Sequence, residues 1–174
     1  MRRVFLLAMG LLVASPSAGD VVESVPSGFT VRVSVPIAAS PDRAYRAVTD
    51  SIGAWWDKAH TFSGDAKNLS LTATPGGCFC EKLPAGGGVR HMTVVYADPG
   101  KLLRLSGGLG PLQDFAVVGT MTWKFTAAGD GTTVELTYRV GGYVTGGITN
   151  LAAPVNTVLT EQVARLKQFV EMSR

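Results

Sequence analysis

The chain has 174 residues, of which 46% are hydrophobic and 17% charged. This is the composition of a globular protein with a substantial core, and it excludes a disordered chain. Sixteen Lys and Arg against thirteen Asp and Glu give a net charge of +3. The basic residues form no cluster of the kind that binds nucleic acid, so we expect no nucleic-acid partner.

The N-terminus has the pattern of an export signal. Arg2 and Arg3 are followed by an apolar run over residues 4–14. That run has the length of a signal-peptide core and is shorter than the roughly 20 residues that span a bilayer. The small residues after it predict cleavage at Ala18 or Gly19. An N-terminal anchor that is never cut is the alternative.

Export would affect the charge, the partners and the cysteines of the protein. If residues 1–19 are a signal peptide, fourteen basic residues remain against thirteen acidic, and the net charge falls to about +1. We expect a periplasmic or secreted protein that meets a membrane only through an uncut signal segment. ATP is not expected as a partner outside the cytoplasm, and cysteines there tend to be oxidised.

The next segment is predicted to be a short polar lead-in at residues 20–28, followed by the folded domain over residues 29–174. Apolar and polar residues alternate from Phe29 to Val35, which predicts a half-buried strand. Ser40 and the proline after it are typical of a helix start. A second short helix is predicted over residues 52–56.

From residue 69 onward the pattern is almost entirely β. Short apolar runs separated by Gly, Pro and Asp predict an antiparallel meander, because parallel strands would need long crossovers. The predicted strands are residues 69–74, 78–82, 89–97, 102–106, 120–127 and 132–140. Apolar residues then recur three and four positions apart from Val155 to Val170, which predicts a long amphipathic helix.

This order of elements is typical of an α+β protein. A single curved sheet must bury its apolar face, and the long C-terminal helix is the obvious cover. Where side chains do not fill the space between the sheet and the helix, a cavity results.

Several short motifs, taken in order, carry a family resemblance. They lie at residues 35–45, 49–50, 55–56, 75–77, 98–100, 102–103, 120–123 and 131–134, and include Ser40-Pro41-Asp42-Arg43, Trp55-Trp56 and Thr120-Met121-Thr122-Trp123. Through these motifs the chain resembles the SRPBCC superfamily, which comprises the START, Bet v 1 and polyketide cyclase proteins. It is similar in particular to the bacterial homologues of the activator of the heat-shock chaperone ATPase.

The resemblance implies a helix-grip, Bet v 1-like fold, with about seven antiparallel strands wrapped around the C-terminal helix and two short helices after the first strand. It also implies a hydrophobic small molecule as partner, bound in the cavity. A co-chaperone role is not implied here, because an exported protein does not readily serve a cytosolic chaperone. No cofactor is expected.

Both cysteines of the chain lie two residues apart in one predicted strand. Their side chains would then share a face, with Cα atoms about 6.6 Å apart, at the upper edge of disulfide geometry. Three states are open for Cys78 and Cys80: packed thiols, a disulfide helped by a bulge, or a metal site completed by His91 and His60.

The register of the predicted hairpin decides whether a histidine can join the cysteines. Pairing Leu83 with Val89 would place Met92 opposite Cys80 and turn His91 to the other face. A shift by one residue would bring His91 onto the cysteine face.

Proton chemistry has three candidate residues. His60 lies in the predicted loop at residues 57–65, and His91 lies in the second strand of the hairpin. Either could be a general base. Glu81 is the best carboxylate candidate, because it follows Cys80 in a predicted strand that is otherwise apolar, and a desolvated carboxylate can titrate near neutrality. We expect, however, that Glu81 is a solvated residue on the outer face of the sheet, as most carboxylates in strands are.

Aromatic residues are the expected walls of a cavity, because they combine a large apolar area with one polar group. The candidates are Trp55, Trp56, Trp123, Tyr138 and Tyr143. Plain core packing is the alternative for each of them.

The sequence therefore predicts an exported protein that binds a hydrophobic small molecule without covalent chemistry. The first alternative is a cyclase- or dehydratase-like enzyme that uses His60, Glu81 or His91 for proton transfer. The second is a metal or redox protein built on Cys78 and Cys80.

Overall fold

The computed structural model describes residues 18–173, which form an eight-stranded antiparallel sheet and three α-helices. The strands are β1 (Ala18–Val25), β2 (Gly28–Ile37), β3 (Leu69–Leu71), β4 (Cys78–Lys82), β5 (Gly88–Asp98), β6 (Leu102–Gly107), β7 (Ala116–Ala128) and β8 (Gly131–Tyr143). The helices are α1 (Pro41–Asp50), α2 (Ile52–Trp55) and α3 (Thr149–Met172). Short 3₁₀ turns cover Lys58–His60, Ala66–Asn68 and Gly110–Asp114.

The strands follow the order β1-β2-β8-β7-β6-β5-β4-β3 across the sheet. The strands from β3 to β8 form a meander in chain order, and the last of them returns to pair with β2. That pairing runs from Gly28 opposite Gly141 to Ile37 opposite Thr132. The α+β helix-grip architecture predicted from the sequence is confirmed.

β1 corrects the prediction of a short polar lead-in at residues 20–28: residues 20–25 belong to this strand, and the turn at residues 26–27 leads into β2. It forms a hairpin with β2, with Val25 opposite Gly28, and raises the number of strands from about seven to eight. Asn156 in α3 donates a hydrogen bond from Nδ2 to the backbone oxygen of Gly19 (3.1 Å). Residues 1–17 of the predicted signal peptide lie outside the described residues.

The core lies between the concave face of the sheet and α3. Every second residue of β2 points inward, and Val31, Val33 and Val35 are fully buried. On α3, the residues that face the sheet are Leu159, Val163, Leu166 and Val170, all buried. Full burial of one such side chain stabilises the fold by about 1.5–3 kcal/mol.

The two short helices cover the remaining edge of this core. Ser40 caps α1 as predicted, since its Oγ accepts a hydrogen bond from the backbone amide of Arg43 (3.4 Å). In α2, Trp55 is buried with its ring 6.4 Å from that of Trp123, and its Nε1 donates to the backbone oxygen of Ala47 (2.8 Å). Within residues 18–173, none of the helices has both the length and the apolar character needed to cross a membrane.

Candidate functional site

An apolar pocket of about 310 Å³ lies between the sheet, the loop after α2 and the first half of α3. Aromatic rings form much of its wall. They belong to Trp56, Phe62, Phe79, Phe115 and Tyr138. Pockets of this size and character are the usual binding sites for small molecules.

α3 supplies the aliphatic side of the pocket, and a short turn closes it. The helix residues that line it are Leu151, Pro154, Val155, Val158 and Leu159. Opposite them, the 3₁₀ turn Gly110–Asp114 contributes Pro111 and Leu112. No Lys, Arg, Asp or Glu is among the described residues that line the pocket.

Tyr138 contributes its aromatic ring to the pocket wall, and its hydroxyl already makes two hydrogen bonds within the protein. Its Oη donates to the backbone oxygen of Gly107 (2.9 Å) and accepts from the amide of Leu109 (3.0 Å). Burial raises the pKa of Tyr138 to about 12, so the hydroxyl keeps its proton at neutral pH.

The β4–β5 hairpin places a carboxylate and an imidazole together at the pocket. Alternation along β4 turns Phe79 and Glu81 inward. Phe79 pairs with Met92 and Cys80 pairs with Arg90, which leaves His91 as the extra residue of a bulge. His91 and Met92 are therefore both buried, on the face of Phe79. Cys78 and Phe79 follow the register shifted by one residue that was considered from the sequence, and the bulge at His91 moves the pairing by one further residue from Cys80 onward.

Glu81 is almost completely buried, with an exposed fraction of 1%, so the expectation of a solvated outer position was wrong. Its carboxylate accepts hydrogen bonds from the backbone amides of Phe62 (3.1 Å) and Ser63. His91 Nε2 lies 3.0 Å from its Oε2. Burial alone would raise the pKa of Glu81, but the hydrogen bonds from Ser63, Phe62 and His91 outweigh it and lower the pKa.

His91 is the partner of this carboxylate and a lining residue of the pocket. Burial lowers its pKa more strongly than the hydrogen bond and the charge of Glu81 raise it. The ring is therefore neutral at neutral pH. Because ionised Glu81 can only accept, Nε2 carries the proton and Nδ1 keeps a lone pair. Nδ1 is buried and has no hydrogen-bond partner among the described residues.

Two phenyl rings contact the imidazole. Phe79 lies with its ring centroid 5.0 Å from that of His91, and Phe62 is stacked on it at 5.9 Å with an interplanar angle of 18°. These apolar contacts explain why burial dominates the pKa of His91.

His60 lines the pocket but does not join this pair. It lies in the 3₁₀ turn after α2, with Nε2 3.6 Å from Oε2 of Glu161. Trp56 donates from Nε1 to its backbone oxygen (3.0 Å). Within residues 18–173, no hydrogen bond or ion pair joins His60 to Glu81 or His91.

The cysteines lie on the opposite face of β4 from Glu81 and form a disulfide, with Cα atoms 5.3 Å apart. This is one of the three states left open by the sequence. The proposed metal ligands are not assembled, because Cys78 and Cys80 are bonded to each other and His91 points to the other face. No group of three or more potential metal ligands occurs in the described part of the chain.

The predicted aromatic candidates divide into two sets. Trp56 and Tyr138 line the pocket. Trp55 and Trp123 lie in the core instead, and Tyr143 is 71% exposed at the end of β8.

Three aromatic pocket residues, Phe62, Phe79 and Phe115, were not predicted from the sequence. Phe79 lies in β4 between the two cysteines and points inward. Phe62 and Phe115 lie outside the regular strands and helices, where no periodicity indicates the direction of a side chain. The aromatic residues within otherwise polar or Gly-rich loops were the only available signal.

Comparisons with known proteins agree with this architecture. The family model for "Polyketide cyclase / dehydrase and lipid transport" matches residues 28–171. No curated protein matches the chain in sequence.

Solved structures with the same fold are distant in sequence. The Aha1 dimer from Colwellia psychrerythraea is 20% identical, with a TM-score of 0.60 over 83% of this chain and 98% of that one. A conserved protein of unknown function from Enterococcus faecalis, EF2215, is 16% identical, with a TM-score of 0.60 over 89% of this chain and 77% of that one. DynU16, from the dynemicin biosynthetic locus, is 21% identical, with a TM-score of 0.57 over 83% of this chain and 48% of that one.

At these identities the solved structures establish the fold alone, whereas the family model covers most of the chain. The helix-grip architecture and the match over residues 28–171 together show that the chain belongs to the polyketide cyclase / dehydrase and lipid transport family, within the SRPBCC superfamily.

Proposed function

We propose that the protein binds a hydrophobic small molecule in the pocket between the sheet and α3, without covalent chemistry. The observation that carries this proposal is the apolar wall of a pocket of about 310 Å³, which no Lys, Arg, Asp or Glu of residues 18–173 lines. Removing apolar ligand surface from water contributes about 25 cal/mol per Å². The family description, which includes lipid transport, is consistent with such a role.

Val158 provides a direct test, because it lines the pocket from the middle of α3. In the V158W variant the larger side chain fills the space that a ligand would occupy. Ala164 lies on the exposed side of the same helix, so A164W is the matched control. Native mass spectrometry should detect a co-purified small organic molecule in the wild type and in A164W, and none in V158W.

Added ligands give a second readout of the same proposal. A neutral bicyclic aromatic such as 2-methoxynaphthalene should raise the melting temperature of the wild type and of A164W, because a ligand that binds only the folded state stabilises it. The V158W variant should show no shift. If the wild type carries no molecule and responds to no apolar ligand, the proposal fails.

Export is a further part of the proposal, supported by the positive and apolar pattern of residues 1–14. The protein would then act in the periplasm or outside the cell. The denatured mass of protein recovered from the periplasmic fraction tests it: a chain that begins after Ala18 or Gly19 is expected. A full-length chain confined to the cytoplasm would refute it.

A cyclase- or dehydratase-like enzyme is the second candidate, and the Glu81–His91 pair is the observation that favours it. A neutral imidazole oriented by a carboxylate is an arrangement that accepts protons in many enzymes. Turnover of an aromatic polyketide precursor by the wild type, lost in H91F with the melting temperature retained, would support it. Absence of turnover across a panel of such precursors leaves binding as the function.

A further inference from the structure

Among the described residues that line the pocket, His91 carries a polar side-chain atom that is buried without a hydrogen-bond partner. His91 lines the pocket with 4% of its surface exposed, and Nδ1 has no hydrogen-bond partner among the described residues. The hydroxyl of Tyr138, by contrast, already donates to Gly107 and accepts from Leu109. A buried acceptor without a hydrogen-bond partner costs free energy. A ligand that donates a hydrogen bond to Nδ1 removes this cost, and its binding becomes more favourable.

The role of Nδ1 is set by Glu81, on the other side of the ring. The carboxylate holds Nε2 at 3.0 Å, and it is itself fixed by the backbone amides of Phe62 and Ser63. The proton therefore stays on Nε2, and Nδ1 can accept a hydrogen bond but cannot donate one.

The charges around the pocket disfavour a negatively charged ligand. Glu81 places a buried negative charge behind the imidazole, and no Lys or Arg among the described residues lines the pocket to neutralise an anion. His60, the other histidine of the wall, lies 3.6 Å from Glu161. A ligand carboxylate would lose its hydration and find no cation in return.

We infer that the Glu81–His91 pair makes this pocket select neutral apolar molecules that carry a hydroxyl group over the corresponding carboxylates. The hydroxyl donates its hydrogen bond to Nδ1 of His91, and the apolar body of the molecule lies against the aromatic wall. This inference rests on the proposed binding function and adds to it the class of the ligand and the residue that recognises it.

Phe62 gives the ligand a route to the imidazole. Its ring stacks on His91 from the loop after α2, yet 53% of its surface is exposed. Because one side of the ring meets solvent, it can rotate away without opening the core. Nδ1 then becomes the polar end of an otherwise apolar site.

Three naphthalenes of similar size test the inference by calorimetric titration at pH 7.5. 2-Naphthol carries a hydroxyl donor, 2-methoxynaphthalene lacks the donor, and 2-naphthoate carries a negative charge. We expect the naphthol to bind about threefold to tenfold more tightly than the methyl ether, as one neutral hydrogen bond allows. The naphthoate should bind at least tenfold more weakly than the naphthol.

The variant that removes the acceptor is H91F, and M92L is its matched control. Met92 is the buried neighbour of His91 on β5 and does not line the pocket. In H91F the naphthol should lose its advantage over the methyl ether, whereas M92L should retain it. In case H91F fails to fold, ¹⁵N NMR of the wild-type imidazole gives an independent readout. Addition of 2-naphthol should shift the Nδ1 resonance and leave Nε2 protonated.

The outcomes separate this inference from the proposal on which it rests. If the wild type binds naphthol and methyl ether equally and Nδ1 does not shift, the inference fails while the binding function stands. Tighter binding of naphthoate would also refute the inference. If none of the three naphthalenes binds and no small molecule co-purifies with the wild type, both the binding function and the inference fail.

Discussion

Gly119 lies directly against the ring of Tyr138: a Cβ atom at this position would come 2.3 Å from Cε2 of the tyrosine. Gly119 lies on β7 opposite Val140, and because it has no side chain its backbone packs directly against the Tyr138 ring. The ring in turn holds the segment before the 3₁₀ turn through Gly107 and Leu109. The absence of a side chain at Gly119 therefore leaves the space that the Tyr138 ring occupies in the pocket wall.

The G119A variant is expected to destabilise the protein by about 1–3 kcal/mol, the usual cost of overpacking a core. Tyr138 is fully buried, so its ring cannot move away without displacing neighbours. Urea unfolding measures the change. The control is G141A, where the backbone is not left-handed and a Cβ atom would meet only the backbone oxygen of Ser27, at an ordinary contact distance of 3.5 Å. Equal stability of G119A and the wild type would contradict the close contact.

The Y138F variant isolates the hydroxyl from the ring. It leaves the amide of Leu109 and the carbonyl oxygen of Gly107 without their partner, and we expect a loss of about 1–3 kcal/mol. Hydrogen exchange should show faster exchange of the Leu109 amide. Y143F is the matched control, because Tyr143 is largely exposed and surface substitutions usually change stability by less than about 0.5 kcal/mol. Equal effects of the two variants would refute the role of the hydroxyl.

Local patterns explain why much of the fold could be predicted. Alternation and turn residues located β4 at its observed bounds, and the Ser40 cap located the start of α1. These signals act over a few residues and need no knowledge of the partner strand. β1 was missed because it is an edge strand with exposed valines, such as Val21 and Val22, and therefore lacks the alternation of a half-buried strand.

The site could be predicted only in its parts. Glu81 and His91 were each candidates, but their pairing depends on a bulge that shifts the β4–β5 register at His91. No local pattern specifies such a bulge. The burial of Glu81 likewise depends on the amides of Phe62 and Ser63, which belong to a loop distant in sequence. The Glu81–His91 site therefore depends on contacts between segments that are distant in sequence, which the residue types alone do not specify.

Acidification should destabilise the protein through the buried pair. The folded-state pKa lies below the ordinary value for both groups, 6.5 for His91 and 4.5 for Glu81. The unfolded chain therefore binds more protons, and stability falls as the pH falls. The loss begins below about pH 6.5, where unfolded His91 takes up its proton. It grows below about pH 4.5, and the contribution of Glu81 is gone once the pH passes its folded pKa.

Urea unfolding between pH 8 and pH 5 measures the His91 contribution as the difference between the wild type and H91F. Asp57, which accepts a backbone hydrogen bond from Ala59, also has a lowered pKa, but its ordinary value of 3.8 lies outside this range. We expect the free energy of unfolding to decline with pH in the wild type and in M92L, and less steeply in H91F. Parallel declines in all three proteins would show that His91 does not titrate as its burial requires.

The Cys78–Cys80 disulfide should contribute modestly to stability and little to the pocket. It closes a ring of only three residues, so the chain-entropy model predicts a contribution of about 1–2 kcal/mol. Because the cysteines face away from Phe79 and Glu81, we expect the C78S/C80S double variant to bind 2-naphthol within about twofold of the wild type.

Unfolding with and without a phosphine reductant provides the measurement. The reductant should lower the stability of the wild type to that of C78S/C80S and leave the double variant unchanged. Thiol titration of the unfolded, unreduced wild type should find no free cysteine. Two titratable thiols would show that the disulfide does not form in the native protein. A large loss of naphthol affinity on reduction would instead show that the two faces of β4 are coupled, with the disulfide holding Glu81 against His91.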